Sequence, residues 1–348
     1  MRWPARLLPG ALCLLLGGCS QLQYYTQAAQ GQYGVWSAAR PVDDWLTDPA
    51  TEPRLKSRLA TAQQIRRFAV SELALPDNGS YKNYAALQRP FVLWNVVATP
   101  ELSLQPLQWC FPVAGCVSYR GYYSKEAALA YAATLRSEHY DVQVGGVPAY
   151  STLGWFDDPL LSTFINYNDA ELARMIFHEL AHQVVYVPGD SAFNESFAMA
   201  VEEAGVQRWL AGHSSEALRT AYDAYAMRRQ DFLALLLRYK KRLEEVYASP
   251  MPDAEKRARK ARLFAALKQD YQLLRQQWGG YGGYDRWFEQ PLSNAHLASV
   301  ATYNDFLPAF KNLLEEKKNF RAFYAAVHTL ARLDKPERVR RLQQLVSP

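Results

Sequence analysis

The stretch His178-Glu-Leu-Ala-His182 restricts the fold of this chain more than any other. It lies in a run from Asp169 to Tyr186 that has no Gly or Pro and repeats its apolar residues at helical spacing, until Pro188-Gly189 stops it. On a helix, His178 and His182 share a face one turn apart, so both imidazoles reach one ion. Glu179 lies about 100° around from His178, close enough to take a proton from a water at that ion without being a ligand. Two imidazoles make an incomplete site, because a catalytic metal needs a third protein ligand and an open fourth position. The chain must therefore turn and bring another donor back to this face.

The segment that follows offers one. Glu195 sits in Phe193-Asn-Glu-Ser-Phe-Ala198, which opens a second apparent helix capped by Asp190 or Ser191 after a short turn at Val187 to Asp190. Glu202 falls on the same helical face as Glu195 and is either a partner of a ligand or the rival ligand, with Asn194 in the same position to assist. The set predicts one zinc ion per chain, held by His178, His182 and Glu195. Such an ion lowers the pKa of a water and polarises a carbonyl, while Glu179 acts as general base.

The beginning of the chain gives an address. Arg2 and Arg6 precede an apolar run from Leu7 to Leu16 that is too short to span a bilayer. It leads into Leu16-Gly17-Gly18-Cys19, which resembles the bacterial lipobox, and that resemblance implies cleavage after residue 18 and lipidation of Cys19. Ser20 in the next position favours an outer-membrane anchor facing the periplasm. With Cys13 removed and Cys19 lipidated, Cys110 and Cys116 remain in the folded part. Pro112 and Gly115 turn the chain between them, so a small-loop disulfide is expected outside the cytosol. The formal net charge of +5 is small for 348 residues and is interspersed, which argues against a nucleic-acid partner. The most basic stretch, Lys335 to Arg341, reads as a solvated helix end.

Between these landmarks the pattern is mostly helical. Helical spacing runs from Gln21 to Leu73 with breaks at Arg40-Pro41 and at Pro49 to Pro53. A βαβ-like pattern follows: Cys116 to Tyr122 alternates, Lys125 to Arg136 is an alanine-rich helix, and Tyr140 to Val144 alternates again. Tyr150 to Trp155 reads as a further strand. Two long helices, Glu216 to Tyr247 and Ala254 to Trp278, form a hairpin across Ser249-Pro-Met-Pro252. Helical patterns at Ser293 to Tyr303 and Leu307 to Leu333 complete the chain. The division expected is a signal peptide at 1–18, an N-terminal helical region at 19–105, a zinc-binding core at 106–212, the long hairpin at 213–280, and a C-terminal helical region at 281–348 that completes the site.

His178-Glu-Leu-Ala-His182 followed by Asn194-Glu-Ser-Phe-Ala198 is similar to the gluzincin pattern of metallopeptidases, in which a glutamate on the next helix is the third zinc ligand. The gap between ligands is shorter than in the large aminopeptidases of that clan, and their Gly-x-Met-Glu-Asn box is absent. A nearer resemblance is to bacterial lipoproteins named as predicted aminopeptidases. It rests on Leu153-Gly-Trp-Phe-Asp-Asp-Pro-Leu160, Phe177 to Gln183, Phe193 to Ala198, Ser293-Asn-Ala-His-Leu297, Tyr303 and Pro308-Ala-Phe310.

The resemblance implies an α+β, mostly helical, zincin-like fold with a small sheet before the metal helix and a long helical hairpin after it. It implies peptide or protein substrates and zinc hydrolysis. It gives Tyr150 to Trp155 the role of an edge strand that pairs with substrate, with Asp158 (or Asp157) facing a substrate amino group unless it is only a turn carboxylate. It names Tyr303 first and His296 second as donors to the oxyanion, and Asn294 and Trp155 as substrate contacts; Tyr281 and Tyr284 in the glycine-rich loop are further candidates for the donor. An endopeptidase of the envelope and a non-catalytic lipoprotein scaffold are the alternatives.

Overall fold

The computed structural model describes residues 8–112, 114–213, 215–301 and 306–346, with side chains described from Gln21 onward, Ala301 excepted. Cys19 as a lipidation site and Tyr303 therefore lie outside the described side chains. Among the described residues no helix is long and apolar enough to cross a membrane.

The chain begins with α1 (Leu8–Ser37), β1 (Ala39–Pro41), α2 (Val42–Thr47) and α3 (Pro53–Leu73), broken where the sequence pattern breaks. Pro53 starts α3, where a missing N–H costs nothing, and Ala74 ends it in the left-handed region at φ 52°. Next come β2 (Asn83–Ala85), β3 (Leu93–Pro100), β4 (Trp109–Phe111), β5 (Gly115–Val117), β6 (Arg120–Tyr122), α4 (Lys125–Ser137), β7 (Tyr140–Val147) and β8 (Leu160–Leu161).

The expected βαβ unit is present as β6, α4 and β7, but its strands are not neighbours. They flank β3 in the order β6-β3-β7, and β3 is antiparallel to both. The expected helical region at 19–105 is thereby corrected, since it contains the central strand of this sheet. Strand β3 was hard to read because its residues from Val96 to Thr99 are all buried, which erases the alternation of a half-solvated strand. One face of the sheet, with Trp94, Val96, Ala98, Tyr122 and Val142, packs on Ala128, Ala132 and Leu135 of α4. The other face stays open to a cavity.

Cys110 and Cys116 form the expected disulfide, with an S–S distance of 2.02 Å, across the β4–β5 hairpin. That hairpin docks on the metal-helix turn: the Ala114 carbonyl accepts from the Gly189 N–H at 3.2 Å and from the Tyr186 hydroxyl at 3.3 Å.

The helices that follow are α5 (Asp169–Ala181), α6 (Ser191–His213), α7 (Glu216–Ala248), α8 (Asp253–Gln277), α9 (Asp285–Glu289), α10 (Asn294–Ala301), α11 (Leu307–Lys317), α12 (Phe320–Ala331) and α13 (Lys335–Val346). Helix α5 is capped by Asn168, whose side chain accepts from the Glu171 N–H, and Asp169 and Glu171 complement its dipole. Helices α3, α5, α6 and α11 to α13 share the main core, in which Phe193, Phe197, Phe310 and Phe323 meet. Helices α7 and α8 form the expected hairpin around a core of their own, with Phe232, Leu236, Tyr239, Leu267 and Tyr271. The continuous helical pattern expected at Leu307 to Leu333 is corrected to two helices, because Lys318 takes the left-handed conformation at φ 59°.

The basic stretch near the end is only partly solvated. Arg340 and Arg341 do pair with Glu337 on the surface. Arg338 is instead 4% exposed, and its Nε and Nη2 donate to Asp190 Oδ2 at 3.0 and 2.8 Å. Asp190 is 3% exposed and also accepts from the Phe193 N–H through Oδ1, so α13 braces the start of α6 through a buried ion pair. Removing one partner of such a pair strands the other charge in the interior. Arg338→Ala is expected to destabilise the fold by about 3–5 kcal/mol in urea unfolding. Arg341→Ala should leave the midpoint unchanged, and equal effects of the two substitutions would refute the brace.

Candidate metal centre

The two histidines fall where the helix ends. His178 lies in the last turn of α5 and His182 is its C-terminal cap, still in helical conformation. The chain then turns back through Gly189 at φ 78°, a left-handed position that suits glycine. Asn194 fixes this turn, since its Oδ1 accepts from the Val187 N–H at 2.8 Å and its Nδ2 donates to the Val187 carbonyl at 2.9 Å. Both ends of its carboxamide bond the Val187 backbone, so Asn194 holds the start of α6 in place.

The turn brings three donor atoms together. His178 Nε2 and His182 Nε2 are 3.2 Å apart, His178 Nε2 and Glu195 Oε2 3.3 Å, and His182 Nε2 and Glu195 Oε2 3.8 Å. Ligand atoms of a tetrahedral nitrogen and oxygen site, each about 2.0–2.2 Å from the ion, stand about 3.3 Å from one another. The triangle therefore fits such an ion, and the donor set of two imidazoles and one carboxylate suits a transition metal better than the all-oxygen shells of calcium or magnesium. His178, His182 and Glu195 are the triad of the described residues that could hold a metal.

The electrostatics favour a cation at the same point. Burial alone would lower the pKa of His178, but its hydrogen bonds to Glu195 and Glu202 raise it to about 10. Burial lowers His182 to about 4, leaving a neutral ring that can only accept at Nε2 when a proton or cation faces it. Glu195 is held below its ordinary value: burial opposes this, but His182 and His178 outweigh it.

Glu202 resolves the choice left open by the sequence. Its Oε2 lies 2.7 Å from His178 Nδ1, on the side of the ring away from the triangle. Its Oε1 lies 3.2 Å from Arg229 Nη1 and 3.5 Å from Arg174 Nη1. Burial would raise its pKa, but Arg174, the His178 bond and Arg229 pull it down to about 2. Glu202 therefore stays ionised in a fully buried position and orients His178. Arg174 is one turn before His178 on α5 and could have been found from that spacing. Arg229 arrives from the distant hairpin helix α7, and no local signal points to it.

Glu179 is 7% exposed and lines the same cavity as the triangle. Burial pushes its carboxyl up to about 7; His178 opposes this, while Glu195 and Asp158 add to it. The cavity encloses about 800 Å³ between the open face of the sheet, α5, α6 and one wall of α7. Among the tyrosines that the sequence did not single out, Tyr119 and Tyr186 line it with Glu195 as an electrostatic neighbour. Burial raises both phenols, with the Glu195 carboxylate as a further cause in each. The Tyr186 hydroxyl is spent on the Ala114 carbonyl.

Several expected residues do not reach the site. Tyr150 to Trp155 is loop and turn, not a strand, because Leu153 and Gly154 take positive φ values of 59° and 79°. Trp155 is 70% exposed and does not line the cavity. The edge strands of the sheet that line the cavity are β6, through Gly121, and β7, through Gln143, Gly145, Gly146 and Val147. Asp158 is buried away from the cavity and accepts from the Thr152 N–H at 2.9 Å and from Gln183 Nε2 at 3.2 Å, which fits the turn-carboxylate reading. Asn294 accepts from the Tyr247 hydroxyl and donates to the carbonyls of Glu101 and Ser103, tying α10 to the end of β3. His296 Nδ1 accepts from the Ser293 N–H at 3.1 Å, and the ring packs edge-on against Trp287. Neither Asn294 nor His296 lines the cavity. Tyr284 does, stacked on Phe232 at 4.0 Å, while Tyr281 packs outside it.

An orienting carboxylate of this kind contributes about 10–100-fold to metal affinity. Glu202→Gln is expected to weaken zinc binding by that factor in a chelator competition, and an unchanged affinity in a folded variant would refute its role.

In comparisons with known proteins, the family described as Putative aminopeptidase matches residues 23–342. No curated protein sequence and no solved structure matches the chain.

Proposed function

The chain belongs to the Putative aminopeptidase family, and from that premise we propose that it is a zinc-dependent peptidase whose centre is the triangle of His178, His182 and Glu195. The observation that carries this reading is the presence, in one cavity, of a ligand triangle of zinc dimensions and an unligated buried carboxylate, Glu179. Zinc held there supplies Lewis acidity, lowering the pKa of a water and polarising the scissile carbonyl.

The chain's own residues supply the rest. Glu179, adjacent in sequence to the first ligand, takes the proton of the attacking water and passes it to the leaving amine. The Tyr119 hydroxyl faces the cavity beside Glu195 and donates to the oxygen that gains charge as the carbonyl is attacked. It takes the role expected of His296, which does not line the cavity. Glu202 keeps the His178 ring turned so that Nε2 points into the triangle. Strand β7 pairs only with β3 among the described residues, and its outer edge offers backbone groups to an extended substrate.

The test is a mixed peptide library incubated with the zinc-loaded chain and read by mass spectrometry beside two variants. Glu179→Gln is expected to lower the cleavage rate by about 10²–10⁴-fold. Tyr119→Phe should lower it by about 10²–10³-fold with zinc content unchanged. Loss of single N-terminal residues would make it an aminopeptidase, and internal cuts an endopeptidase. Equal cleavage by Glu179→Gln and the native chain would end the hydrolytic reading.

A further inference from the structure

The open face of the sheet carries a feature that the zinc chemistry does not use. Along β3, the side chains of Trp94, Val96 and Ala98 pack towards α4, so Leu93, Asn95 and Val97 point to the cavity, and all three line it. In register, Asn95 stands opposite Gly121 of β6 on one side and Gly145 of β7 on the other. Both glycines line the cavity as well. The row across the sheet at this level is therefore one carboxamide between two positions without side chains. The adjacent rows carry bulk: Leu93 is opposite Val147, and Val97 is opposite Gln143. The result is a notch across the three strands with Asn95 at its centre.

The carboxamide oxygen is unpaired: among the described residues, the buried Asn95 Oδ1 has no hydrogen-bond partner. Buried polar atoms are nearly always satisfied, because leaving one unpaired forfeits its hydration without return. The usual remedy here would be a Ser or Thr on the neighbouring strand, a common cross-strand partner. Glycine withholds it on both sides. A Cβ at Gly121 would stand 3.4 Å from Asn95 Oδ1 and 3.8 Å from Leu93 Cδ1, so the space is small but sufficient for a side chain. The backbone does not require glycine there, since neither Gly121 nor Gly145 has positive φ. What their absence of side chains does provide is a low wall beside the amide, so that Asn95 is part of the cavity lining and its carboxamide can turn towards the cavity.

A primary carboxamide presents one acceptor and two donors in a plane, which matches the N–H and C=O of a peptide group. We propose that Asn95, in the notch left by Gly121 and Gly145, is a subsite that hydrogen-bonds the main chain of a bound peptide. This deepens the peptidase reading and rests on it. Because the contact is to the main chain, the subsite fixes the position of the substrate in the cavity without selecting a side chain, and the notch leaves room for the chain to lie against the sheet. A single buried water on Asn95 is the competing occupant, since it too would satisfy the oxygen.

The experiment uses the full zinc-loaded chain carrying Glu179→Gln, so that peptide is bound and not consumed. The probe is a fluorescein-labelled hexa-alanine peptide, which offers little beyond its main chain, and the readout is fluorescence anisotropy. Asn95→Ala added to this background is expected to raise Kd by about 3–10-fold, the loss of one or two neutral hydrogen bonds. Gly121→Ser, which places a hydroxyl beside the amide and fills the notch, is expected to weaken binding at least as much. Zinc content and unfolding midpoint should stay at the parent values in both. An unchanged Kd in both variants would assign Asn95 to water alone and overturn the subsite, as would a parent chain that holds zinc but binds no probe. Failure of the hydrolytic reading is separate, because it would appear as a native chain that binds the probe with Asn95 dependence and cuts no peptide.

Discussion

The buried carboxylate of Glu202 is the constraint on which the centre depends. It lies in the interior, where an unpaired charge is costly, and three groups from two helices meet it: His178 and Arg174 from α5, and Arg229 from α7. Each of those contacts fixes something else. The His178 bond sets the ring so that its other nitrogen faces His182 and Glu195. The Arg229 contact draws the long hairpin against the metal helices and makes α7 a wall of the cavity. The same ion cluster therefore orients a ligand and shapes the substrate space.

A second buried pair holds the geometry from behind. Asp190 caps α6 and is clamped by Arg338 of the last helix, while Asn194 closes on the Val187 backbone within the same turn. The disulfide hairpin rests on that turn through Ala114 and leads directly into Tyr119. Glu195, the turn and the phenol proposed as oxyanion donor are thus linked where the Ala114 carbonyl meets the Gly189 N–H. This explains why residues as far apart in sequence as Tyr119, Glu195 and Arg338 converge on so small a region.

The parts of the site that could be read from sequence are those set by local periodicity. His178, Glu179 and His182 follow from helical spacing, and Glu195 follows from a helix that must return after Pro188-Gly189. The disulfide followed from elimination among few cysteines. Strand β3 was missed because burial on both faces removes alternation, and Tyr150 to Trp155 is not the expected strand because Leu153 and Gly154 turn the backbone. Asn294 and His296 carry catalytic residue types but spend them on helix and strand contacts, which only coordinates reveal. Arg229 and Arg338 reach their partners across long loops of chain, and a basic residue on a helix gives no local sign that it is buried.

The most direct test of this account is X-ray absorption at the zinc edge of the purified full chain and of its Glu195→Ala and Glu202→Gln variants. The account predicts one zinc per chain with two imidazole nitrogens, loss of a protein oxygen ligand in Glu195→Ala, and an unchanged ligand set in Glu202→Gln. A folded chain that takes up no zinc, or a shell that survives Glu195→Ala and collapses only in Glu202→Gln, would contradict it.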